Sequence, residues 1–386
     1  MKSSGKDQPK KNPVFSDPEQ FLRDYWQKKP LLVRQAFPNF EPELDADDIA
    51  GLACDELAES RLITGSFEKR NWQVRYGPFS EDDFSSLPDR NWSLLVQDVE
   101  KHYPPLQALL ENFAFIPSWR IDDLMVSVAG RGGSVGPHVD QYDVFLLQAA
   151  GRRRWQIAES FEPGLLAGCE LEVLEHFQAE QEWTLEPGDL LYLPPGVAHF
   201  GVALDPGTTW SIGMRAPGAA ELYQSLGDWL AERDPAAPRY RDPGLAPATA
   251  PGRIEADAMR GFQQLAMQCL RNEAAFSDFL GAFLSRYRLA HDPAPPEEPI
   301  DVESLRAVLR AGAALRHNPW TRLLWLETAA GACLFAAGER LACDAASAAL
   351  ICDPQRLAML DENAPAALLE RVCELVEEGH LYLETL

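Results

Sequence analysis

Residues 123–215 are cut into short runs by clusters of turn-forming residues: Gly130-Arg-Gly-Gly133, Ala150-Gly151, Pro187-Gly-Asp189, Pro194-Pro-Gly196 and Asp205-Pro-Gly207. The runs between them are rich in β-branched, aromatic and aliphatic residues. Short β-prone runs separated by turns fit a sandwich or a barrel. The flanks read differently. Asp17-Pro18 starts a helix that runs to about Trp26, with Asp as N-cap and Pro in the first turn. A short strand follows over 30–33, then a helix over 45–57. Strand-like runs cover 62–64, 72–76 and 92–96, and 105–113 reads as helix. After Pro217 the apolar spacing becomes helical, over 221–232 and 257–287. A Pro-rich linker over 292–299 leads to a last segment. There 302–315, 345–351 and 365–378 read as helices, and 381–386 as a strand.

Chemistry concentrates in Gly136-Pro-His-Val-Asp140. In a strand, residues i and i+2 project from one face. His138 and Asp140 would therefore present an imidazole and a carboxylate together. His199, just past the Pro194-Pro-Gly196 turn, is the natural third ligand. Two His and one carboxylate form the facial triad of non-haem Fe(II) oxygenases, with positions left open for co-substrate and O2. An isolated H-x-D is more often a capping or surface pair. The same pair in a Gly-flanked β region, with a His on a later strand, is far more restrictive. His102, His176, His291, His317 and His380 sit in helical, acidic or linker contexts and are given no role. Asp143 falls on the opposite strand face from Asp140, and Asp189 reads as turn chemistry.

An oxygenase of this class needs an anchor for a dicarboxylate. In Gly151-Arg-Arg-Arg-Trp-Gln-Ile157, alternation puts Arg153 on the face of Trp155 and Ile157, which is inward. A guanidinium inside demands a carboxylate partner, either an acid of the chain or the distal end of 2-oxoglutarate. Arg152 and Arg154 point outward. Ser127, on the strand leading into the His138 loop, can add a hydroxyl.

These segments, together with Phe21-Leu-Arg-Asp-Tyr-Trp-Gln-Lys-Lys-Pro-Leu-Leu-Val33 and Pro187-Gly-Asp-Leu-Leu-Tyr-Leu-Pro-Pro-Gly-Val-Ala-His199, carry a resemblance. Over nearly its whole length the chain resembles the cupin-like JmjC oxygenases, in particular the YcfD-type ribosomal oxygenases of bacteria. The resemblance implies an α+β chain. Residues 17–216 would form a double-stranded β-helix (jelly-roll, cupin) barrel of JmjC type, after a disordered leader at 1–16. A helical dimerisation region over 217–291, the Pro-rich linker 292–300 and a winged-helix-like module over 301–386 would follow. It further implies Fe(II), with 2-oxoglutarate and O2 as co-substrates. The activity implied is 3-hydroxylation of an arginine in large-subunit ribosomal protein sixteen, by a homodimer. Matched by motif, His138, Asp140 and His199 are the iron ligands and catalytic residues, and Arg153 and Ser127 the 2-oxoglutarate contacts. Ser211, on the strand over 209–215, is a candidate substrate contact. A JmjC histidyl hydroxylase or lysine demethylase would share the iron chemistry. A non-catalytic cupin binding module is the alternative outside enzymology, and the intact triad with Arg153 argues against it.

Charge bears on the partner. There are 35 Lys and Arg against 59 Asp and Glu, a net charge of −24. Such a chain repels phosphate backbones, so no direct nucleic-acid partner is expected, and a basic ribosomal protein is attracted. The last module carries seven Arg and no Lys against thirteen acids, too acidic for a DNA-reading winged helix. No long apolar run suggests a membrane span. The polar N-terminus lacks a signal-peptide core. Seven scattered Cys without a C-x-x-C read as reduced thiols, and the expected compartment is the cytoplasm.

Overall fold

The structure is a computed structural model, and it describes residues 17–233, 238–247, 252–286, 293–296, 298–328 and 331–384. The expected leader, His291 and part of the Pro-rich linker lie outside these residues. The chain divides into two compact units, Met1–Ala216 and Pro217–Leu386.

The first unit holds twelve strands among its described residues: β1 (Leu31–Val33), β2 (Ser60–Thr64), β3 (Gln73–Tyr76), β4 (Trp92–Val96), β5 (Ile121–Ala129), β6 (His138–Val139), β7 (Val144–Ala150), β8 (Arg153–Ala158), β9 (Gln181–Leu185), β10 (Leu190–Leu193), β11 (Ala198–Ala203) and β12 (Gly207–Met214). Eight form a major sheet in the order β1-β10-β7-β12-β5-β4-β2-β3, and four a minor sheet in the order β6-β11-β8-β9. This is the expected double-stranded β-helix, in jelly-roll form. Its two sheets are hydrogen-bonded separately and do not close into a barrel.

Alternation sorts the major sheet's residues. Leu124, Val126, Phe145, Leu147, Leu190, Tyr192, Trp210 and Ile212 share a core with Phe21, Ile49, Leu106 and Phe113 from the helical segments. The intervening positions face the minor sheet. There Val144, Leu146, Leu191 and Leu193 meet Trp155, Ile157 and Leu185. Covered on both faces, β7 is buried at six consecutive positions, Val144–Ala149.

Local signals explain the flanking helices. Asp17 accepts from the Gln20 N–H at 2.9 Å and caps Pro18–Asp24. Asp45 and Asp48 form a capping box on Ala46–Leu52. That helix stops short of the expected Leu57, because Asp55 turns the chain by accepting from the Leu57 N–H. The run 105–113 breaks into the 3-10 turns Pro104–Leu106 and Glu111–Phe113 around Gln107–Leu110.

In the second unit the run expected over 257–287 is two helices, Ala256–Arg271 and Glu273–Ser285. Asn272 leaves the helical region at ψ 89 and caps the second helix through Ala275 N–H. The run 302–315 is a helix only over Val302–Arg310. Gly312, at φ +99, ends it and releases β13 (Ala314–His317). Three strands were not expected: β14 (Leu323–Thr328), β15 (Gly331–Ala336) and β16 (Glu339–Cys343), an antiparallel meander. Ala337 and Gly338 both have positive φ, as a tight two-residue hairpin turn requires. β17 (Leu381–Glu384) pairs with β13. Helix Glu273–Ser285 packs on the meander so closely that a Cβ on Gly281 would lie 2.3 Å from Phe335. Among the described residues no helix is long and apolar enough to cross a membrane.

Candidate functional site

His138 and His199 are direct cross-strand partners on β6 and β11, which places their rings 4.2 Å apart. Asp140 follows β6 and closes the group. Its Oδ1 lies 3.9 Å from His138 Nε2, and its Oδ2 lies 3.5 Å from His199 Nε2. One ligand atom from each residue falls within 4.8 Å of the other two. Among the described residues it is the only such cluster of three or more.

The backbone sets both tautomers. His138 Nδ1 donates to the Gly136 carbonyl at 2.9 Å, and His199 Nδ1 to the Val197 carbonyl at 3.0 Å. A carbonyl only accepts, so each ring holds a proton on Nδ1 and turns its Nε2 toward Asp140. Gly136 stands at φ +84, where a Cβ would meet Val173, and this bend aims its carbonyl at His138. Burial, and next the positive field of His138, push His199 down to about 4, against the pull of Asp140. It is therefore neutral near pH 7. Two imidazoles and a carboxylate converging on one point beside the minor sheet suit a divalent transition metal.

Arg153 enters from β8 and is 5% exposed. Its guanidinium lies 5.1 Å from the Trp155 ring. Its polar contacts are long: Thr209 Oγ1 at 3.5 Å and the Gly201 carbonyl at 3.4 Å, with Nε unpartnered. No carboxylate pairs with it among the described residues. Burial alone lowers it to about 10, so it stays cationic at neutral pH. Of the two partners that the sequence left open, an acid of the chain is not found among the described residues. A buried, uncompensated guanidinium in a metal-binding sandwich is fitted for an external carboxylate. Gly201 makes room for it: a Cβ there would lie 2.7 Å from the Trp155 ring and 2.8 Å from Arg153 Nε.

Ser127 is buried on the inner face of β5, but its hydroxyl donates to the Thr209 carbonyl at 3.2 Å. It reaches the neighbourhood of Arg153 through Thr209 without touching it. Ser211 stands two residues along β12 on the same inner face, 7% exposed. Thr209 and Gln148 were missed by sequence reasoning. Thr209 Oγ1 donates to Gln148 Oε1 at 3.0 Å while accepting from Arg153. Two-residue spacing from Ser211 was the signal that could have found Thr209.

Several residues given no role are structural. Asp143 is fully buried and accepts from Tyr192 Oη at 2.6 Å, Gln27 Nε2 at 3.0 Å and Arg120 Nη2 at 3.1 Å. Asp189 accepts from the Gln35 N–H, the Glu186 N–H and Arg34. His317 and His380 bond to the Ile351 carbonyl and to Thr321.

Residues 108–222 match the JmjC domain family, and residues 264–382 match the ROXA-like winged helix, which takes in the helix Glu273–Ser285. The ribosomal protein uL16 3-hydroxylase of Escherichia coli K12 is 35% identical over 372 residues, covering 94% of this chain and 97% of that protein. A probable ribosomal oxygenase of Haemophilus influenzae is 35% identical over 342 residues, covering 82% of this chain and 80% of that one. A solved structure of the E. coli ribosomal oxygenase YcfD, in complex with cobalt and 2-oxoglutarate, matches with a TM-score of 0.81 at 33% identity, covering 96% of this chain and 98% of that one.

Proposed function

The chain belongs to the JmjC-domain ribosomal oxygenases, and we propose that it is an Fe(II)- and 2-oxoglutarate-dependent hydroxylase of an arginine in large-subunit ribosomal protein sixteen. The observation that carries this is the pairing of the His138–Asp140–His199 cluster with a buried guanidinium that has no acid of its own.

His138, Asp140 and His199 would hold the metal, and Arg153 the distal carboxylate of 2-oxoglutarate. Bound there, iron with 2-oxoglutarate and O2 supplies insertion of one oxygen atom into an unactivated C–H bond, with succinate and CO2 as co-products. The chain's own residues do the positioning. The Gly136 and Val197 carbonyls hold the Nδ1 side of both rings, so both Nε2 atoms are the ones turned to the metal position. Arg153 offers a planar fork for a bidentate grip. Thr209, itself bonded to Gln148, tethers that fork, and Ser127 stands beside it on the same inner face through the Thr209 carbonyl. Trp155, Ile157, Leu185, Leu191 and Leu193 exclude water and strengthen the ion pair. Ser211, on the same inner face, is assigned to the substrate side chain.

The E. coli relative is a uL16 3-hydroxylase, which supports the substrate, and the net charge of −24 favours encounter with a basic ribosomal protein. Residues 17–216 are assigned as the catalytic domain, 217–291 as a dimerisation region and 301–386 as a protein-contacting module, in a cytoplasmic homodimer. The test is incubation with Fe(II), 2-oxoglutarate and large-subunit ribosomal proteins under air, followed by peptide mass spectrometry. One added oxygen on one arginine is the expected result. Formaldehyde release, or oxygen on a histidine, would contradict the arginine assignment.

A further inference from the structure

A cleft of about 540 Å³ lies on the face of the minor sheet opposite the metal cluster. Alternation along two strands makes this so. β11 sends His199 and Gly201 inward and Phe200 and Val202 into the cleft, while β8 sends Arg153 inward and Arg154 outward. The volume is that of a small-molecule site.

Its walls are unlike the rest of this acidic chain. Lys69, Arg90, Arg131 and Arg154 line it against one acid, Glu68. Among the described residues, Arg131 alone of the four reaches a carboxylate, Asp205 at 3.6 Å, and Asp205 is already engaged by Arg152 at 2.7 Å. The main chain holds two of the cations side by side, through a parallel bridge between Arg90 and Arg131 and an Asn91 N–H to Arg131 carbonyl bond of 2.9 Å. Two further donors of the wall, Trp72 Nε1 and Arg154 Nε, are buried without an acceptor. Like charges fixed together beside unsatisfied donors are costly unless an anion joins them. Phe67, packed 5.4 Å from Phe200, and Trp72 add flat apolar surface beside the cations. Cations interleaved with aromatic faces are the chemistry that holds a base and its phosphate.

We propose that this cleft binds a nucleotide, with its phosphate on Lys69, Arg90 and Arg154 and its base against Phe67 and Trp72. The phosphate comes either from a free nucleotide or from an unpaired nucleotide of an RNA. None of these side chains faces the sandwich interior, so the site stands independently of the oxygenase reading. Only its RNA form stands against the expectation, drawn from net charge, of no direct nucleic-acid partner.

The experiment is calorimetric titration of the full chain at low salt with three probes: inorganic phosphate, adenosine monophosphate and single-stranded hexa-adenylate. At least one nucleotide probe is expected to bind tenfold or more tightly than inorganic phosphate, and to weaken as salt is raised. Comparable affinity for the mononucleotide and the hexamer assigns the site to free nucleotide. A tenfold preference for the hexamer assigns it to RNA. Lys69→Ala with Arg90→Ala removes two exposed side chains. The double variant is expected to keep its circular dichroism and 2-oxoglutarate turnover while binding at least tenfold more weakly. Nucleotides binding no tighter than phosphate, no binding at all, or unchanged affinity in the double variant each overturn the proposal.

Discussion

The two units bury different things. Among the described residues, the first buries seventeen polar or charged residues and the second only two, Ser285 and His380. Unit length does not account for this. The second unit's core is aliphatic, built on Leu305, Leu334, Leu369, Val372 and Leu375, and its two buried polar side chains bond locally: Ser285 to the Gly338 N–H and His380 to Thr321. In the first unit some buried polar groups are likewise satisfied, as Asp143 and Asp189 are. Arg153, on the inner face between the sheets, is not: it has two long contacts and, among the described residues, no acid. Polar groups that the fold satisfies are scaffold; those that it leaves waiting mark where a ligand belongs.

The contrast can be broken from the first unit most severely at the metal cluster. His199→Ala or Asp140→Ala is expected to abolish 2-oxoglutarate turnover, measured as succinate release, with the circular dichroism spectrum unchanged. Full turnover in either variant would remove the cluster from the site. Arg153→Ala comes next. Losing a charge-assisted bidentate grip of about 1.5–3 kcal/mol should raise the 2-oxoglutarate requirement about 10- to 100-fold. Its thermal midpoint should not fall with that loss, because a buried uncompensated charge goes with it. Arg153→Lys should rescue only partly, since the ammonium lacks the fork.

The second unit should behave in the opposite way. Leu369→Ala, at a fully buried position, is expected to cost about 2–5 kcal/mol of stability in denaturant unfolding and to leave 2-oxoglutarate turnover of the folded protein unchanged. A turnover loss matching that of Arg153→Ala would erase the distinction between the units.

The smallest expected effect concerns Glu100. It is buried, accepts from the Leu124 N–H at 2.9 Å, and lies 3.9 Å from Lys101 Nζ. Burial pushes it up to about 8 against the pull of Lys101, and Asp123 and Asp98 push further the same way. Between an ordinary 4.5 and 8 the folded chain thus holds a proton that the unfolded chain has released, so this group's contribution to stability declines as pH rises through that window. Glu100→Gln keeps the acceptor and should flatten the decline, by several degrees in the thermal midpoint at pH 8. An identical pH profile in the variant would remove Glu100 as its cause.

Much of this was legible from residue spacing. His138, Asp140 and Arg153 follow from period-two alternation in a turn-punctuated region, because a strand has only two faces. The Asp17 cap is local chemistry and appeared where expected, and the second helix starts at the expected Asp45, which caps it. Thr209 and Gln148 were hidden because a Thr or Gln inside a strand looks like any other until the pairing partners are known. The meander of β14–β16 was hidden for a related reason: Leu323-Leu-Trp-Leu and Ala332-Cys-Leu-Phe carry no alternation, and short apolar runs fit a buried strand or a helix equally. Asn272 and Gly312 each interrupt a helical apolar pattern that spacing alone continues across. Net charge sums over the surface, while the cations around the Arg90–Arg131 bridge are gathered by the fold.

The central claim is that the inner face of the first unit forms one composite site for a metal and a dicarboxylate. The most direct measurement is calorimetric titration of 2-oxoglutarate, in the absence of O2, into the protein with and without Fe(II), for the native chain and Arg153→Ala. One equivalent should bind per chain only when the metal is present, and the variant should bind at least tenfold more weakly. Binding that ignores the metal, or that Arg153→Ala leaves intact, would contradict it.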